Sequence, residues 1–153
     1  MVIAAEALPA RVGETFSRRL CFDIASIRAF AASVDDRNPL HHDEVVALAA
    51  GYPGLIASGT QLGGMVMAMT ATHFSQPTAE GHARSGLGIA FDIRFRAVVL
   101  ADEDMTATWT VTAIERKDRL DGWIVTVEGG ATSVRGPLLS GKGTLLLRLG
   151  PAR

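Results

Sequence analysis

Ten consecutive residues, Val34-Asp35-Asp36-Arg37-Asn38-Pro39-Leu40-His41-His42-Asp43, carry three carboxylates, two imidazoles and an amide around one proline. Histidine titrates near neutrality, and a carboxylate beside it can orient the ring, so such a pair suits proton transfer. Pro39 fixes φ at about −65° and drives Asn38 out of the helical region, so the backbone has to turn here. That turn can bring Asp36 and His41 to one side as an acid/base pair. The plain alternative is a polar surface turn, since Asx-Pro sequences that join helices are common.

The flanking sequence has to position this string. Thr15 to Phe22 alternates Phe16, Leu20 and Phe22 with polar neighbours, the period of a half-buried strand. Asp23 stands where an N-cap belongs, ahead of Ile24, Ile27, Phe30, Ala31 and Val34 at helical spacing. That helix ends at Asp35-Asp36. Asp43 can cap a second helix, Glu44 to Ala50, closed by Gly51. Ser58 and Gln61 have capping-box spacing, which starts a third helix at Gly59 and runs it to about Phe74. Its residues are apolar or small on every side, which predicts a buried helix; it is too short and interrupted to cross a membrane. Gly63 and Gly64 inside it suggest the close approach of another backbone.

From Gln76 to Gly86 the sequence reads as a polar loop, and then the period changes to two. Leu87 to Phe95, Met105 to Ala113, Trp123 to Val127 and Leu139 to Leu147 alternate apolar and polar or small residues, with turns between them. A strand, then helices, then four strands is an α+β order. A long apolar helix beside one curved antiparallel sheet is best buried if the sheet wraps it, which is the hot-dog arrangement. No linker, repeat or low-complexity tract divides residues 1–153, so a single domain is expected.

With 153 residues and 48% apolar content the chain can bury a core unaided, and a net charge of −1 gives no basic excess for nucleic acid. Cys21 is the only cysteine, which excludes an intramolecular disulfide and a cysteine zinc site; on its strand it is expected to be buried. Met1 to Glu6 lack a basic start followed by an apolar core, so no leader is expected and the location is read as cytoplasmic. His42 is expected at the surface, His73 near a helix C-terminus, and His82 in a loop.

The string Asp36-Arg37-Asn38-Pro39-Leu40-His41 resembles the Asp-x-Asn-Pro-(Leu/Ile/Val)-His signature of the MaoC-like, (R)-specific enoyl-CoA hydratases. Ile56-Ala57-Ser58-Gly59 is similar to the small-residue stretch that opens that family's central helix, and Arg94-Phe95 matches an Arg-Phe late in the next strand. The chain departs from the family in three places. Asp35 replaces the glycine that usually precedes the signature aspartate, Val98-Val99 stands for Pro-Val, and Asp102-Glu103 stands for Gly-Asp. Asp35 can tolerate φ > 0, and as a second carboxylate it could raise the pKa of Asp36.

The resemblance implies the hot-dog fold and interconversion of trans-2-enoyl and (R)-3-hydroxyacyl thioesters. Asp36 and His41 would hold and activate a water, with their division of labour open. Asn38 is expected to brace the loop or the thioester end. The substrate-binding set is Asn38, Ser58, Gly59 and Thr60, with the free N–H groups at the helix start steadying the enolate. No metal or redox cofactor is expected, since coenzyme A arrives as part of an acyl-CoA or acyl-carrier thioester; Arg84, Arg94 or Arg96 could meet its phosphates. A homodimer or higher homo-oligomer is implied, with the site near the subunit junction. The competing readings are a hot-dog thioesterase and a non-catalytic acyl-CoA-binding or dimerisation module.

Overall fold

The polar string lies between two helices because both flanking caps form. In the computed structural model, which describes residues 7–152, Asp23 accepts the Ser26 amide at 2.7 Å and starts α1 (Ile24–Ser33). Asp43 accepts the amides of Val45 at 2.9 Å and Val46 at 3.3 Å and starts α2 (Glu44–Ala49). Gly51 follows at φ 90°, the left-handed close expected of it. Met1 to Glu6, read above for a leader, lie outside the described residues.

Helix α3 (Gly59–Phe74) begins and ends as the sequence indicates, but not through the expected capping box. Ser58 makes no side-chain cap; the Gln61 amide donates to the Ser58 backbone carbonyl at 3.0 Å instead. The expectation of burial on every side is also corrected. Leu62, Val66, Met69 and Phe74 are buried, while Thr60, Ala68 and Ala71 are exposed. One sheet can cover only one side of a helix. Nor does a backbone approach Gly63 or Gly64. The ring of Phe95 lies 3.7 Å from where a Gly63 Cβ would be, and Gly64 meets open space.

The sheet is antiparallel throughout, in the order β1-β3-β4-β5-β2, built from β1 (Thr15–Leu20), β2 (His82–Phe95), β3 (Met105–Lys117), β4 (Gly122–Ser133) and β5 (Gly136–Ala152). The strands outrun their apolar alternation, because backbone pairing does not need it. Thus β2 begins at His82, inside the segment read as loop, and His82 is a half-buried strand residue. Two bulges break the alternation that the sequence suggests. Ile89 is the extra residue where β2 shifts register against β5, so Leu87 falls off the core face and is exposed. Thr112 does the same in β3, and Ile114 instead of Ala113 continues toward the core opposite Val125. Cys21 lies just past the end of β1 and is exposed between buried Leu20 and Phe22, contrary to its expected place on a strand and its expected burial. Among the described residues no helix is long and apolar enough to cross a membrane.

Trp109 joins the two layers. Its indole is fully buried and donates from Nε1 to the Val66 carbonyl of α3 at 2.8 Å. At the other end of the sheet Arg135 grips Glu103 with two hydrogen bonds, 2.8 and 2.7 Å, and Glu103 also accepts the Leu100 amide at 3.0 Å. The Arg135 hydrogen bonds, chiefly, lower the Glu103 pKa from 4.5 to about 2. A carboxyl with a depressed folded-state pKa stabilises above its unfolded pKa, and that contribution fades as pH falls through the folded value. Glu103→Gln is therefore expected to cost on the order of 2 kcal/mol at pH 7, allowing for solvent around half-exposed Arg135, and little near pH 2. Urea unfolding at both pH values tests this; an equal loss at both would contradict it.

Candidate active site

The site begins where α1 stops. The Asp36 amide reaches back to the Ala31 carbonyl at 2.8 Å and the Asp35 amide to Ala32 at 3.2 Å, with Asp35 at φ 55°. This is a Schellman close with Asp35 in the left-handed place. It delivers Asp36 facing inward. The Asn38 amide then donates to Asp36 Oδ1 at 3.1 Å, and Asn38 Oδ1 accepts the Leu40 amide at 3.2 Å, capping a short 3-10 turn over Pro39–His41.

That turn buries the His41 ring. Its Nδ1 donates to the Ile56 carbonyl at 2.8 Å, since a carbonyl can only accept. In the neutral imidazole this leaves Nε2 with a free lone pair, 3.4 Å from Asp36 Oδ2. Two acceptors facing one point at that separation can share a water that gives one hydrogen to each. The strand-like segment that supplies Ile56 is itself fixed, its amide donating to the Leu40 carbonyl at 3.2 Å.

The electrostatics differ from expectation. The Asp35 carboxylate turns to solvent and pairs with Arg37 Nε at 2.8 Å, so it does not press on Asp36. The Asp36 carboxyl is held below its ordinary range, first by the Asn38 amide, then by the Ser58 hydroxyl at 3.0 Å, with the two histidines adding. Asp36 therefore stays ionised. The expected rise of its pKa is corrected to a fall.

His42 is not the free surface residue expected. The 3-10 turn folds it back, half-buried, so that Nε2 donates to the Asp36 backbone carbonyl at 2.6 Å. Arg84 cannot serve phosphates: its guanidinium is buried and donates to the carbonyls of Pro9, Gln76 and His73 at 2.9, 2.6 and 3.0 Å. His73 is engaged with Glu14 at 2.6 Å and stacks on Phe16.

A cleft of about 440 Å³ opens from His41 and is lined by Asn38, Ala57, Gly59, Leu62 and Phe95 among others. The Phe95 ring lies over the start of α3, where a Cβ on Gly59 would come within 3.1 Å of it. Among the described residues, neither the Gly59 nor the Thr60 amide has a protein partner. Of the residues read from sequence, Asp36, His41, Asn38 and Gly59 are thus brought to one place. The Ser58 side chain joins them through Asp36 Oδ2 at 3.0 Å, and the Thr60 hydroxyl lies 2.7 Å from that of Ser58. The Ile56 carbonyl had no sequence signal, because any residue could supply it.

A family model described as a MaoC like domain matches residues 8–131. The chain belongs to the MaoC-like dehydratase family. Its backbone is similar to that of a MaoC-like dehydratase from Rhodospirillum rubrum, 26% identical over 93% of this chain and 95% of that one, with a TM-score of 0.74. It is also similar to an (R)-hydratase from A. caviae involved in PHA biosynthesis, 24% identical over 95% of this chain and 100% of that one, TM-score 0.75. A hot-dog-like protein from Thermanaerovibrio acidaminovorans matches at 14% identity over 92% of this chain and 85% of that one, TM-score 0.59, so the wrapped sheet and helix are the hot-dog fold. No curated protein matches the chain in sequence. Two departures of this MaoC-like chain now have a physical reading. Asp35 at φ 55° and Asp102 at φ 60° both take the backbone form that glycine takes most easily, and aspartate is among the residues that tolerate it.

Proposed function

We propose that this MaoC-like protein interconverts trans-2-enoyl and (R)-3-hydroxyacyl thioesters. The observation that carries the reading is the Asp36 Oδ2 and His41 Nε2 pair, 3.4 Å apart, with the other imidazole nitrogen fixed by the Ile56 carbonyl and His41 lining a largely apolar cleft. Water held between them attacks C3 as His41 Nε2 takes its proton, and Asp36 remains the anion that steadies the imidazolium. The C2–C3 π bond opens toward the thioester, and the enolate oxygen is held by the Gly59 amide at the positive end of α3. His41 returns the proton to C2, so one O–H and one π bond break while a C–O and a C–H bond form. Arg96 lines the cleft with Nε on Ser140 Oγ at 2.9 Å, which supports it as the arginine that would meet coenzyme A phosphates.

The test is incubation with crotonyl-CoA and longer 2-enoyl-CoAs, following both the conjugated absorbance and free thiol. Loss of absorbance without thiol release is expected. Thiol release would indicate a thioesterase, and no change in either would indicate a binding module. Assembly is part of the same proposal. Strand β2 is a 14-residue edge with exposed Leu87 and Ile89, and the α3 side carrying Ala68 is uncovered, so a second copy is expected to pair there. Light scattering at micromolar concentration should give a dimer mass; a monomer would contradict it.

A further inference from the structure

Ser58 occupies the N-cap of α3, where serine ordinarily accepts a helix amide, yet it leaves that bond unmade. Its hydroxyl, on a residue that is 3% exposed, points at Asp36 Oδ2, 3.0 Å away across 22 positions of sequence, and also lies 2.7 Å from Thr60 Oγ1. The direction of this chain is forced. An ionised carboxylate only accepts, so Ser58 gives its one proton to Asp36, and Thr60 must then donate to Ser58. Each donation polarises the next bond.

We propose that Ser58, backed by Thr60, is a positioning residue that holds Asp36 Oδ2 toward His41 Nε2. The serine acts through the aspartate and touches no reacting atom. Asp36 has two oxygens and two fixed donors: the Asn38 amide on Oδ1 comes from its own loop, and Ser58 on Oδ2 comes from a different element. With both in place the carboxylate plane cannot swing, and it stays ionised while His41 carries the proton. Without Ser58 the Oδ2 oxygen loses its only hydroxyl anchor and the water it shares with His41 loses its geometry. The other charged groups around Asp36 do not compensate. Asp35 and Arg37 pair with each other in solvent, His42 holds the Asp36 backbone carbonyl, and Arg28 of α1 donates to the His42 carbonyl at 3.2 Å.

The kinetic half of this role rests on the hydration reading; the titration half does not. The experiment is a carboxyl carbon-13 NMR titration of Asp36 in Ser58→Ala, Ser58→Thr and Thr60→Val, with kcat and KM for crotonyl-CoA. Ser58→Ala should raise the Asp36 midpoint by about one pH unit and lower kcat about tenfold with KM within about threefold. Ser58→Thr keeps the hydroxyl and should restore both, while Thr60→Val should raise the midpoint by a smaller amount. Because Ser58 makes no cap, Ser58→Ala should keep its far-ultraviolet circular dichroism; if it does not fold, the exposed-site variant Thr60→Val decides. An Asp36 midpoint unmoved in the folded variants, or Ser58→Thr as impaired as Ser58→Ala, overturns the proposal. If wild type hydrates nothing but the midpoints move as stated, the hydration reading fails and the positioning role stands.

Discussion

Asp36→Asn and His41→Ala are each expected to lower kcat for enoyl-CoA hydration by about 10²- to 10⁴-fold, and the double variant by little more than either. The expectation follows from geometry. The two groups stand 3.4 Å apart, so on the proposed mechanism they act on one water and removing either leaves the other with nothing to act on. Groups that work as a unit are strongly non-additive, which separates this from two independent contributions. His42→Ala should be much milder, about tenfold at most, because its ring holds the Asp36 carbonyl and not the reacting atoms. Asp35→Gly should leave kcat unchanged and relieve a left-handed backbone by up to about 1 kcal/mol. Wild-type rates in both Asp36→Asn and His41→Ala, with folding confirmed, would sink the assignment. A dead His42→Ala beside an active His41→Ala would mean the wrong imidazole was chosen.

The helices were legible because their signals are local. Asp23, Asp43 and Gly51 each act within three residues of themselves, and each does in the structure what its type suggests. The Asp36 to His41 string was legible for a related reason, since one turn builds the pair. What escaped is what depends on distant partners. Ser58 with Gln61 at capping-box spacing gave a local answer, and a carboxylate 22 residues away won the hydroxyl. His42 and Asp35 were misjudged because their directions depend on how the turn closes. The bulges at Ile89 and Thr112 leave no compositional mark, yet each reverses which side chains face the core. The apolar surround of α3 suggested burial on every side, but the chain supplies cover on only one side, because one sheet cannot enclose a helix.

Trp109→Ala is expected to cost about 3–5 kcal/mol, a large share of the 5–15 kcal/mol typical of a whole domain. The indole is fully buried on β3, it lies against Gly141 so closely that a Cβ there would stand 3.2 Å from the ring, and Phe91 packs at a centroid distance of 6.2 Å. Neither Gly129, its partner on β4, nor Gly141 on β5 has a side chain to fill the hole, so the cavity would persist. Trp109→Phe separates packing from the hydrogen bond. It loses the Nε1 donor to Val66 at 2.8 Å, but that carbonyl keeps its own helical partner, so no buried acceptor is orphaned. That variant should lose about 1–2 kcal/mol. Urea unfolding followed by far-ultraviolet circular dichroism measures both, and a Trp109→Ala protein within about 1 kcal/mol of wild type would show that α3 is held mainly by other contacts. The consequence reaches the site through α3 itself. The helix that Trp109 ties to the sheet also carries Gly59 at its first turn, so a loosened α3 should raise KM for enoyl-CoA even at temperatures where the variant remains folded.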